Sequence, residues 1–190
     1  MALFLVPTGR DFHGEFYPLI SSNVPVSTNV LLEHTKNQVG KLARFMAPWV
    51  KGGHIYTAPD PASIQTTRIL LNGSANKAQI VSIMGHSAKN SVVRIADSDM
   101  KFFSNIQNSF WLPFTPCNAK RCLDVIRQIS LDPSVDNVVM VAGTEFVRKF
   151  VECFSDGNLV KPIVNFTCSI IHYCPETKKI IPLLSVDPCN

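Results

Sequence analysis

The residues of this 190-residue chain whose groups could do covalent or acid–base chemistry do not gather into one motif. Thr8, Gly9 and Arg10 follow directly on a short apolar run, while His13 and His86 stand in irregular stretches. An imidazole can accept a phosphoryl group or move a proton, and a guanidinium can hold an oxyanion. A Thr hydroxyl becomes a nucleophile only beside a base, and none is evident for Thr8. The expectation is therefore that Arg10 is a solvated loop cation and that His86, Asp97 and Asp99 are surface turn residues. Gly143-Thr144-Glu145 opens a helix whose amides could receive an anion, but Glu145 places negative charge there, so ordinary capping is expected.

The six cysteines, at 117, 122, 153, 168, 174 and 189, contain no CxxC pair, and His172 between Cys168 and Cys174 lacks a second ligand pair. No metal site and no cofactor are expected. A chain of this length buries about 70% of the surface its unfolded form exposes, so disulfides are not required for a core. Cys122 and Cys168 stand in apolar runs where a free thiol behaves as a small hydrophobe, which points to an intracellular, reducing compartment. No stretch approaches a membrane span, and the amino terminus has neither a basic leader nor a small-residue cleavage site. The net charge of +4 is scattered, with no basic arm or stripe, so direct nucleic-acid binding is not expected.

The elements that must position these groups alternate. Residues 3–6 form an apolar strand, which Pro7 should end because proline lacks a ladder donor. Ser27-Thr28-Asn29 can start a helix whose apolar residues, Leu31, Leu32, Val39, Leu42, Ala43 and Met46, recur at helical spacing until Pro48. Residues 54–57 read as a strand and 62–71 as a helix ended by Asn72-Gly73. Residues 78–84 and 91–96 look like strands or buried segments, and 101–116 form an aromatic-rich, irregular insertion. From Asn118 a helix runs to Ile129, followed by a strand at 138–142, a helix at 145–154, and β-rich runs at 164–172 and 180–186. The alternation predicts one domain over 1–190, a three-layer α/β/α sandwich around a mainly parallel sheet.

Ligands bind at the carboxyl ends of such strands, so residues 7–10 and Gly143-Thr144 should border one crevice. The segments LFLVPTGRD, LLEHTKNQVGKLARFMAP, IYTAPDPASIQTTRIL and VVMVAGTEFVRKF, in that order, resemble the histidine phosphatase superfamily with its phosphoglycerate mutase-like fold. The likeness runs from the first strand to about Phe150, through Gly9, Leu32, Gln38, Leu42-Ala43 and Gln65-Thr66. The family's motifs imply Arg-His at Pro7-Thr8, an Arg at Ala62 and a second His at Gly143. All four groups are replaced here.

The resemblance thus implies a vestigial pocket formed by Pro7, Thr8, Gly9, Arg10, Ala62, Gly143 and Thr144, with no catalytic residue. A phosphohistidine mechanism needs an imidazole nucleophile and donors for the transferring group, and loss of one such donor costs about two to three orders of magnitude in rate. Some relatives of this superfamily serve as protein-binding modules, so the expected role is that of a structural or interaction subunit among other protein subunits. Phe102, Phe103, Phe110, Trp111 and Phe114 are the candidate partner-binding aromatics. The alternatives are an enzyme using displaced residues (Arg10, His13, His86, Asp97, Asp99) and a non-catalytic sensor of a phosphorylated ligand.

Overall fold

Side chains along the first strand alternate between two apolar layers, and this sets the architecture. In the computed structural model, which describes residues 1–8, 31, 33–81, 84, 92–95, 97–104, 111–113, 119–154, 168–174, 176–177 and 179–186, that strand is β1 (Ala2–Thr8). It is followed by α1 (Glu33–Gly52), β2 (His54–Thr57), α2 (Pro61–Leu70), β3 (Ala78–Ile80), β4 (Val92–Arg94) and β5 (Trp111–Pro113). The chain continues through α3 (Ala119–Ile129), β6 (Asn137–Gly143), α4 (Thr144–Phe154), β7 (Cys168–Cys174) and β8 (Lys179–Val186). The main sheet has the order β3-β2-β6-β1-β7-β8. Its first four strands are parallel, β7 is antiparallel to β1, and β8 is antiparallel to β7.

Leu3, Leu5, Val138, Met140 and Ala142 face Leu123, Ile126, Phe146, Val147 and Phe150 of α3 and α4. Phe4, Val6, Val139 and Val141 face Leu42, Met46, Val50, Ile64 and Leu70 of α1 and α2. A strand period of two delivers alternate residues to opposite faces, and helical layers cover both. The expected three-layer α/β/α sandwich with a mainly parallel sheet is the observed architecture. Among the described residues no helix is long and apolar enough to cross a membrane.

Several boundaries differ from the sequence expectation. β1 does not stop before Pro7 but pairs with β6 through Thr8. The Ala2 N–H donates to the Asp136 carbonyl on the β6 side, so alternate amides place the Pro7 nitrogen toward β7. Pairing with β7 already ends at Leu5 opposite Ser169, so the absent donor faces no ladder acceptor. α1 likewise runs past Pro48 to Gly52. Pro48 is exposed, while Trp49 packs on Phe4 with ring centroids 4.9 Å apart and Val50 is buried, so tertiary packing holds the last turn.

β3 ends at Ile80, short of the expected 84, and β7 continues beyond the expected 172 to Cys174. The insertion contains order that its composition concealed. β4 and β5 form a separate antiparallel ribbon, and Phe103 bridges to Ala78 beside β3.

Candidate functional site

The crevice is built where the two central parallel strands end together. Thr8 of β1 pairs with Gly143 of β6, and Pro7 pairs with Ala142. Continuing the alternation, Thr8 and Gly143 fall on the α1/α2 face and Pro7 on the α3/α4 face. Thr8 is buried, and its carbonyl accepts a hydrogen bond from the Thr144 hydroxyl at 3.2 Å. That contact ties the end of β1 to the first residue of α4.

The third wall is the β2–α2 connection. The Ala58 N–H donates to the Val141 carbonyl at 2.8 Å, carrying the β2 chain beside β6 as it leaves the sheet. Asp60 then caps α2, with its carboxylate accepting the Ser63 N–H at 2.9 Å and the Ser63 hydroxyl at 2.6 Å, and Pro61 opens the helix. A carboxylate therefore already occupies the positive end of α2, where an incoming anion would meet like charge. Ala62 is buried against Leu31 and Val39, and the Gln65 Oε1 accepts the Leu31 N–H at 2.8 Å. Thr67 and Thr57 are joined by their hydroxyls at 2.9 Å, pinning α2 to β2 from below.

Of the expected pocket residues, Pro7, Thr8, Gly143 and Thr144 come together at adjacent strand ends, and Ala62 lies on the neighbouring helix turn. Gly9, Arg10, His13 and His86 lie outside the described residues, as do Phe110 and Phe114. Phe103 is a correction. It is 2% exposed within the α1/α2-side core, because its bridge to Ala78 carries it under the sheet edge, so it offers no partner a surface. Phe102 is half-buried with the Lys101 ammonium 5.1 Å from its ring centroid, and Trp111 stands in β5.

Asp97 is exposed, as expected of a turn residue. Asp99 is not. It is 5% exposed and accepts from the Arg68 guanidinium at 3.0 Å, anchoring the segment after β4 to α2. Neither Arg68 nor Asp60 emerged from sequence reasoning as a site-shaping residue. The Asp-Pro pair before a helix was the available signal for Asp60, whereas a pairing across 31 positions leaves none. Among the described residues, no three His, Cys, Asp or Glu side chains gather as a metal-holding group.

No protein-family model matches the sequence, and no curated protein matches it. Solved structures do share its fold. The protein histidine phosphatase SixA, complexed with tungstate, aligns over 100% of this chain and 99% of its own, with a TM-score of 0.66 at 12% identity. The α-ribazole phosphatase from Shigella flexneri aligns over 97% of this chain and 95% of its own, with a TM-score of 0.62 at 12% identity. The ecdysone phosphate phosphatase of Bombix mori, also with tungstate, covers 100% of this chain and 93% of its own, with a TM-score of 0.59 at 12% identity. The architecture is therefore the histidine phosphatase, or phosphoglycerate mutase-like, fold.

Proposed function

We propose that this chain is a catalytically inactive domain on a histidine phosphatase scaffold, serving as a structural or protein-interaction subunit of a larger complex. One observation carries the reading. At the paired ends of β1 and β6, where the family resemblance asks for two imidazoles, Thr8 stands opposite Gly143. Pro7 and Ala62, where it asks for arginines, offer a buried ring and a methyl group packed on Leu31 and Val39. SixA and the ecdysone phosphate phosphatase are complexed with tungstate, a phosphate-like oxyanion. The Asp60 carboxylate at the head of α2 opposes a similar anion here.

A methyl group does not stabilise a transferring phosphoryl group, a hydroxyl attacks only beside a base, and each missing donor removes about two to three orders of magnitude in rate. Purified protein assayed with p-nitrophenyl phosphate and with a phosphohistidine peptide should show no turnover above buffer. Enzyme-like hydrolysis that disappears in Thr8→Ala or Arg10→Ala would overturn the proposal. The subunit role predicts that the native protein elutes in a species well above its own 21.0 kDa. A monomer at native concentration contradicts that role.

A further inference from the structure

A second concavity lies at the opposite end of the sheet, and its lining is basic. It occupies about 390 Å³ and is lined by the α1–β2 turn, the starts of β2 and β3, and Ser104. Its basic residues among the described residues are Lys51, His54 and Lys77, all exposed, with no acidic residue in the wall. Ile55 and Tyr56 border this wall but are buried in the two core layers, so its accessible surface is polar and is completed by the exposed Gln79 and Ser104.

The turn that forms this wall is held in place. The Asn76 side-chain amide donates to the Val50 carbonyl at 2.8 Å and to the Gly53 carbonyl at 2.7 Å. Its Oδ1 accepts the Lys77 N–H at 2.8 Å, which sets the backbone from which Lys77 projects. Covering the Val50 carbonyl in the last turn of α1 offsets part of the negative end of that helix, and Lys51 in the same turn adds to this. Gly53 lies so close to the Trp49 carbonyl that a Cβ would approach it at 2.5 Å, while a Cβ on Gly52 would meet nothing within 4 Å.

We infer that this cavity is an anion-binding site for a small molecule that carries more than one phosphate. The phosphates would lie between Lys51 and Lys77. The volume falls within the range of small-molecule sites, about 300–1,000 Å³. The Asp132 carboxylate lies outside the wall and accepts hydrogen bonds from the Ser134 hydroxyl and N–H, which hold its carboxyl below the usual range. This site shares no residue with the Thr8–Gly143 crevice, so its test does not depend on whether that crevice is inactive.

The test is calorimetric titration of the full chain with ATP and with inorganic phosphate at low ionic strength. ATP should bind, and more tightly than inorganic phosphate. The double variant Lys51→Glu/Lys77→Glu should weaken ATP binding about tenfold or more. The control Lys41→Glu/Arg44→Glu carries the same change of net charge on the exposed face of α1 and should leave the affinity within about twofold. Gly52→Glu places a carboxylate at the rim in open space and should also weaken binding. Absence of ATP binding overturns the proposal, as do equal losses in both charge-reversal pairs.

Discussion

The Gln65 Oε1 accepts the N–H of Leu31, a residue with no exposed surface. A side chain on which the family resemblance partly rests is thus used to satisfy a buried amide. Gln65→Leu removes the acceptor and leaves that N–H desolvated without its partner. The expected cost is about 1–3 kcal/mol, read from the urea midpoint at unchanged slope. A midpoint equal to that of the parent would show that Leu31 finds another acceptor. At the same scale, Thr8, Ala62 and Gly143 stand in sequence where the family resemblance expects other residues. Their burial and mutual placement were not, since Thr8 meets Gly143 only across the β1–β6 ladder.

Elements in this protein end where tertiary contacts let them. Pro7 and Pro48 both read as terminators, yet β1 and α1 continue through them. The missing β1 donor faces a side of the sheet where pairing has stopped, and the last turn of α1 is held by Trp49 on Phe4. The α1–β2 turn gives a sharper test. Gly53→Ala would drive its Cβ to 2.5 Å from the Trp49 carbonyl, a backbone atom that cannot move aside without opening the turn, so the variant should melt several degrees below the parent. Gly52→Ala meets no atom within 4 Å and should match or exceed the parent's stability by up to about 1 kcal/mol. Equal melting temperatures for the two variants would contradict this account.

The whole molecule is held by two apolar layers on one sheet, and its response to alkali follows from that burial. Cys168 of β7 lies in the α1/α2-side core, and burial pushes its thiol up to about 12. In the unfolded chain a thiol ionises near pH 8.5, so the unfolded state releases its proton first as the pH rises. The stability contributed by keeping this thiol neutral is complete below that pH. It is lost progressively between about pH 8.5 and 12. Burial raises the Tyr56 hydroxyl in the same direction. The decline in urea midpoint above about pH 8.5 should be shallower in Cys168→Val than in the parent, because only the thiol differs between them. Coincident slopes would remove Cys168 from the account. The thiol should also resist Ellman's reagent in the folded protein.

Local patterns by themselves determined the alternation of strands and helices, the three-layer class, and which residue types stand at positions 7, 8, 62 and 143. Each of these is written in a short window by apolar period, capping residues or residue type, which act over a few positions. Only the tertiary structure decided that Phe103 belongs to the core, that Asp99 is buried on Arg68, and that Gln65 serves Leu31. It alone assembled Lys51, His54 and Lys77 around one cavity. These depend on contacts between residues brought together by strand order and register, and no local spacing encodes which distant segments the sheet places side by side.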